Sequence, residues 1–249
     1  PKTLVVENLT VRYGGVVAVD HVSFTVEPGH VVGLIGPNGA GKTSAIDAIT
    51  GFTKATGDVR LGDADVQRFG AAQRSRLGLS RSFQSLELFE DATVLDNLRA
   101  ASDRRDGFSY IRDLVYPVNP PLPGQVVAAI AEFELADDLH RHVQDLSYGR
   151  RRLLAVARAI ATNPSVLLLD EPTVGVDVGA KHEIYAVMND LASRGMGILM
   201  ASSDMPEILG MSDRIIVMSE GRITAEFTRE EATQEGIMKA AVPMSAVAS

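Results

Sequence analysis

The residues with the most specific chemistry form one loop, Gly36-Pro37-Asn38-Gly39-Ala40-Gly41-Lys42-Thr43-Ser44. It has the pattern G-x-x-x-x-G-K-[ST]. Glycines let the backbone curl until consecutive N–H groups point inward at phosphate oxygens, and a helix opening directly afterwards adds the positive end of its dipole. Lys42 can supply a mobile cation to the β and γ phosphates of a nucleotide, and the Thr43 hydroxyl is spaced to ligate Mg²⁺. A glycine-rich turn with no ligand has no need of a lysine and a hydroxyl at these positions. A second element, Val166-Leu167-Leu168-Leu169-Asp170-Glu171, ends an apolar run in two carboxylates. Asp170 can hold the Mg²⁺ shell through water, which leaves Glu171 as the candidate base that polarises an attacking water. Alone, Asp-Glu after an apolar run reads as a solvated strand end. With the loop upstream, phosphoryl chemistry is the better reading.

These groups need a rigid frame. Short apolar runs at Leu4–Val6, Val22–Val26, Val31–Ile35, Val166–Leu169, Gly197–Ala201 and Arg214–Met218 alternate with segments of helical period, which predicts an α/β core. Val31–Ile35 shows no polar alternation, as expected of a parallel strand covered on both faces. It leads straight into the loop, and Ser44–Thr50 reads as the helix that follows. From Thr93 to about Asp145 the pattern is helical without a convincing strand, interrupted by the proline-rich stretch from Tyr116 to Gly124 that no regular helix accommodates. Thr93 with Asp96 fits an N-cap and a first-turn carboxylate, and Thr228 with Glu231 fits a capping box opening a last helix.

Composition sets the outer limits. The 249 residues carry 24 basic and 32 acidic side chains, a net charge of −8, and 45% are hydrophobic, as in a soluble globular protein. With no cysteine there is no disulfide framework, thiolate metal site or cysteine nucleophile, and a reducing cytosol is the expected setting. His182-Glu183 begins like a metalloprotease helix, but Ala186 stands where the second histidine belongs. No apolar run approaches the roughly 20 residues that span a bilayer, and no secretory signal is visible. The acidic balance argues against a nucleic-acid partner. Pro1 fits either loss of an initiator methionine or excision from a longer precursor.

Between the loop and the acidic strand lies Leu146-Ser147-Tyr148-Gly149-Arg150-Arg151-Arg152, followed by a helical pattern through Ile160. This resembles the signature of ATP-binding cassette (ABC) ATPases, whose order is phosphate loop, glutamine loop, signature, acidic strand. The resemblance covers nearly the whole chain. It implies a P-loop NTPase core of RecA-like α/β type, with an N-terminal antiparallel β portion and an inserted α-helical subdomain. Residues 1–90 and 146–227 would form the nucleotide-binding core, 91–145 the helical subdomain, and 228–249 a C-terminal helix and tail.

By the same resemblance the cofactors are ATP and Mg²⁺, held by Gly36 to Ser44. Tyr13 would stack on adenine, unless it is simply a half-buried strand aromatic. Gln84 would contact Mg²⁺ and the attacking water. Ser147, Tyr148 and Gly149 would reach the ATP of a second cassette, and Asp177 would lie in the dimer-contacting loop. The partners implied are that second cassette, identical or different, separate transmembrane permease subunits and an extracytoplasmic solute-binding protein, with this chain on the cytoplasmic face of the membrane.

Subfamily features divide. Arg81-Ser82-Phe83-Gln84, Leu88-Phe89, Thr93-Val94-Leu95, Asn97-Leu98 and Tyr148 resemble branched-chain amino acid importer cassettes. Gly175 to Lys181, Ser202 to Glu207 and Gly210 to Arg214 resemble the C-terminal cassette of ribose-type sugar importers. The expectation is an importer ATPase, with branched-chain amino acids as first cargo and sugars as the alternative.

Two departures bear on chemistry. Ser203 stands where the family usually has a histidine, and serine donates a hydrogen bond but carries no positive charge. Slow hydrolysis, or a nucleotide-holding clamp, is therefore an open alternative. Arg150 and Tyr148 replace the usual glutamine and first glycine of the signature. The arginine run can attract a partner's ATP, but a solvated or carboxylate-paired helix face is the preferred reading.

Overall fold

A computed structural model describes residues 1–82, 88–102 and 122–242. Its centre is a six-stranded sheet in the order β10-β9-β3-β8-β7-β6, built from Leu79–Ser82 (β6), Val166–Asp170 (β7), Gly197–Ser202 (β8), Val31–Ile35 (β3), Arg214–Ser219 (β9) and Arg222–Thr228 (β10). The pairings β6–β7, β7–β8, β8–β3 and β3–β9 are parallel, and only β10 runs antiparallel.

Alternate residues of these strands feed two cores. Val31, Ile35, Leu167, Leu169, Ile198, Met200, Ile215 and Val217 face one, and Val32, Leu34, Val166, Leu168, Leu199, Ala201, Ile216 and Met218 face the other. Both sides of β3, β7, β8 and β9 are thus removed from water, which is why these segments read as continuous apolar runs. Each fully buried Leu, Ile or Val stabilises the sheet by roughly 1.5–3 kcal/mol.

The second core is closed by an antiparallel sheet, β2-β1-β4-β5, made of Val16–Val26, Leu4–Tyr13, Ala55–Leu61 and Ala64–Asp65, together with helix α1, Lys42–Thr50. The first core lies under the helices α3 (Val94–Ser102), α4 (Gly124–Glu132), α5 (Tyr148–Ile160), α6 (Val178–Ser193), α7 (Met205–Met211) and α8 (Gln234–Ala241). A short α2, Ala71–Leu77, precedes β6.

Among the described residues between Thr93 and Asp145 there is no strand, as the pattern predicts, and the only ladder contact is an isolated bridge from Thr93 to His142. Thr93 caps α3 as expected, its hydroxyl accepting from the Asp96 N–H at 3.1 Å. Most of the proline-rich stretch lies outside the described residues.

The C-terminal helix begins later than the Thr228–Glu231 signature predicts. Glu231 does accept from the Thr228 N–H and hydroxyl, at 3.1 and 2.9 Å, but the pair closes a turn. α8 starts at Gln234, and Thr233 is its cap, accepting from the Gly236 N–H. A capping box and a hydroxyl–carboxylate turn share one local geometry, and the periodic apolar face that would extend the helix is missing from 229–233.

Candidate active site

Three neighbouring parallel strands bring the chemistry to one edge. Ile35 pairs with Ser202, and Asp170 pairs with Ala201, so the ends of β3, β8 and β7 deliver Gly36, Ser203 and Glu171 side by side. Ligand sites of open α/β sheets form at this carboxyl edge.

The loop after β3 is built around close backbone approach. A Cβ on Gly36 would lie 2.1 Å from the Met218 carbonyl oxygen. Gly41 has φ of 101°, and a Cβ there would meet the Ala18 carbonyl oxygen at 2.4 Å. Only glycine meets both conditions. The loop encloses a cleft of about 220 Å³ lined by residues 38–44, Ala18 and Glu171.

Lys42 is 7% exposed and turns its ammonium onto the loop's own carbonyls, 2.7 Å from Gly36 O and 3.4 Å from Pro37 O. Burial lowers its pKa, an effect partly offset by the nearby carboxylates of Glu171 and Asp170. The loop therefore holds a desolvated cation that an anionic ligand can claim.

Asp170 is 2% exposed. Burial pushes its pKa up, against the pull of Arg81 and of a hydrogen bond from Thr43. Arg81 donates to Asp170 Oδ2 at 3.2 Å and also bonds Asp47 on α1. Asp170 Oδ1 is buried and has no protein partner. An orphaned carboxylate oxygen beside the Thr43 hydroxyl is a hard, all-oxygen donor set, which fits Mg²⁺.

Glu171 adopts φ of 49°, a left-handed conformation costing a non-glycine residue roughly 1–2 kcal/mol. Its N–H donates to Ala201 O at 2.8 Å, and its Oε2 accepts from the Ser203 N–H at 3.1 Å and the Ser203 hydroxyl at 3.2 Å. Ser203, where the family usually has a histidine, therefore touches the candidate base directly. Tyr13 ends β1 about half exposed, its hydroxyl 3.4 Å from that of Thr53. Gln84 lies outside the described residues.

The signature residues form a second cluster. Ser147 caps α5, accepting from the Arg150 N–H at 3.3 Å, and Asp177 caps α6, accepting from the Ala180 N–H at 3.1 Å. A Cβ on Gly149 would lie 2.9 Å from the Ala180 Cβ, so glycine is what lets the two helix starts meet. Tyr148, 45% exposed, lies over Gly175. None of these residues lines the cleft at the phosphate loop.

Of the three arginines, Arg150 and Arg151 follow the carboxylate-paired reading, with Asp138 and Glu90 as partners, and Arg152 departs from it. Arg150 pairs with Asp138 at 2.7 Å and donates to the Phe133 and Glu134 carbonyls. Arg151 donates to the Leu146 and Gln144 carbonyls. Arg152 is 1% exposed and reaches the carbonyls of Pro172, Asp170 and Glu171, tying the signature helix to the end of the acidic strand.

Sequence reasoning missed the parts played by Arg81, Arg152 and the carboxylate of Glu207. Each lies in a segment already noted: Arg81 three residues before Gln84, Arg152 at the end of the arginine run, and Glu207 at the end of the stretch from Ser202.

Known proteins share this arrangement. The family model described as ABC transporter matches residues 19–174. A ribose import ATP-binding protein of Caldanaerobacter subterraneus subsp. tengcongensis is 39% identical over 243 residues, covering 95% of this chain and 47% of that protein. A xylose import ATP-binding protein of Moorella thermoacetica is 39% identical over 236 residues, covering 90% of this chain and 44% of that protein. The chain thus spans about half the length of the curated relatives it matches. Among solved structures, a nucleotide-free ATP-binding cassette from an ABC transporter superposes with a TM-score of 0.80 at 30% identity, covering 99% of this chain and 98% of that one.

Proposed function

Because the chain belongs to the ABC transporter family, we propose that it is the ATP-binding and ATP-hydrolysing cassette of an importer for small sugars. Lys42, Thr43 and Glu171 line one cleft, with Asp170 bonded to Thr43 and Ser203 bonded to Glu171, and this grouping carries the catalytic part of the reading. Lys42 leaves the loop carbonyls for the β and γ phosphates, and the loop N–H groups bind the remaining oxygens. Thr43 and Asp170, with Gln84, would hold Mg²⁺, which neutralises charge on the phosphate oxygens when bound. Glu171 takes up a proton from the attacking water, and Ser203 fixes the orientation of that carboxylate.

The cargo assignment shifts from branched-chain amino acids to sugars. Relatives named as ribose and xylose import proteins, at 39% identity over nine-tenths or more of this chain, support the likeness first noted in the later half of the sequence. The amino acid reading rests on short segments between Arg81 and Leu98 and on Tyr148. A complete site needs a second cassette, because the signature cluster stands apart from the phosphate loop within one chain. Separate permease subunits and an extracytoplasmic solute-binding protein complete the proposed assembly at the cytoplasmic face. No helix among the described residues is long and apolar enough to cross a membrane.

Uptake of labelled ribose, xylose and leucine by cells with and without this chain tests the cargo. Pentose uptake should fall with leucine uptake unchanged, and the reverse would return the assignment to amino acids.

A further inference from the structure

Behind the cleft sits a buried carboxylate that the chemistry above does not use. Glu207, on α7, is 3% exposed. Its Oε1 accepts from the Thr173 hydroxyl at 2.9 Å, and its Oε2 accepts from the Ser202 hydroxyl. Thr173 and Ser202 are themselves 2% and 0% exposed. Ser202 Oγ in turn accepts from the Asp204 N–H at 3.0 Å, and Asp204 Oδ1 accepts from the Glu207 N–H. Of the cations near it, Lys181 is paired with Asp204 at 3.0 Å and Arg152 bonds the backbone carbonyls that follow β7. Desolvation raises the Glu207 pKa, with the two hydroxyl bonds opposing it. Burying an ionisable group on hydroxyl partners is costly, and an apolar side chain would fill the same space more stably.

What Glu207 gains is a connection. Thr173 lies two residues after Glu171, and Ser202 lies one residue before Ser203. A single carboxylate therefore clamps the chain leaving β7 to the chain leaving β8, and the Glu171–Ser203 contact spans the same two segments from the cleft side. The ring closes through Glu171, Ser203, Ser202, Glu207, Thr173 and Pro172. With a short serine at 203, half of the hold on Glu171 is the backbone N–H of Ser203, so the placement of the base depends on where the backbone of residues 202–204 is fixed.

We propose that Glu207 is a positioning residue for hydrolysis, setting the Glu171–Ser203 geometry through the Ser202 and Thr173 hydroxyls. This rests on the ATPase reading above. Glu207 is not among the residues that line the phosphate-loop cleft.

The test compares the full chain with Glu207→Ala and Glu207→Gln by kcat, by ATP affinity and by amide hydrogen exchange. In Glu207→Ala, exchange at the Ser203 amide should rise at least about tenfold, with phosphate-loop amides unchanged. Its kcat should fall about 10- to 100-fold, the scale of a small misplacement of a catalytic group, while the Kd for ATP stays within about 3-fold. Glu207→Gln, which keeps the shape and two hydrogen-bonding atoms, should recover most of both losses. Wild-type exchange at Ser203 with wild-type kcat in Glu207→Ala overturns the proposal. So does a parallel loss of exchange protection and ATP affinity over the whole chain, which marks a merely structural role. If Glu207→Ala does not fold, Ser202→Ala and Thr173→Val each remove one link, and normal Ser203 exchange in both overturns it equally. A wild-type chain that binds ATP without turning it over contradicts the ATPase reading, and the exchange result still decides the role of Glu207.

Discussion

Lys42 shows how the site is charged before any ligand arrives. Its ammonium is withdrawn from water and satisfied by loop carbonyls, and burial lowers its pKa with Glu171 and Asp170 partly opposing the fall. Exchanging a carbonyl for a phosphate oxygen turns a neutral acceptor into an anionic one at little cost in reorganisation. Lys42→Ala should therefore weaken ATP binding by about 2 kcal/mol, roughly 30-fold in Kd. Isothermal titration checks this, and an unchanged Kd would mean the loop binds nucleotide through its N–H groups alone. The loop residues and the two carboxylates were legible in the sequence because each pattern is local. Arg81, Arg152 and Glu207 were not, because their partners Asp170, Pro172 and Thr173 lie 89, 20 and 34 residues away in the chain. Distant pairings of this kind become visible only after the strands are in order.

At the scale of elements, legibility followed burial. Strands β3, β7, β8 and β9 were readable since both faces are covered. Ala55–Leu61 and Arg222–Thr228 were missed because they alternate between inward and exposed positions with few large apolar residues. Leu79–Ser82 was missed because its buried residues include Ser80 and Ser82, the former bonded to the Ala159 carbonyl of the signature helix region. The placement of α5 depends on a polar anchor as well. Asp138, in a 3₁₀ turn spanning Ala136–Asp138, accepts from Arg141 at 2.7 Å and pairs with Arg150 at 2.7 Å, joining the helical segment to the signature helix. Burial pushes the Asp138 pKa up, but Arg150 and Arg141 outweigh it and hold it below 3.8. A carboxyl depressed in the fold stabilises above its unfolded value and loses that contribution as the pH falls through its folded value. Asp138→Asn should therefore cost about 1 kcal/mol near neutral pH. The gap in Tm from wild type should close as the pH drops below the ordinary aspartate value of 3.8. A gap independent of pH would show that the ion pairs contribute nothing.

For the molecule as a whole, the two sheets and the helical layer place the phosphate-loop cleft and the signature cluster in separate regions. The overall α/β architecture was legible from alternation of apolar runs and helical segments, and its subdivision came through resemblance, since no linker or change in composition marks a boundary. The cargo was not legible, because the segments that resemble importer subfamilies point two ways. All of this stands on one claim, that the cleft hydrolyses ATP with Glu171 as base although position 203 is a serine. Steady-state ATP turnover of the purified chain beside Glu171→Gln, with nucleotide binding measured for both, tests that claim most directly. Turnover by the wild-type chain that falls at least about hundredfold in Glu171→Gln, with binding retained, is the predicted result. Tight binding with no wild-type turnover, gained on Ser203→His, would contradict it and make the chain a nucleotide-holding clamp.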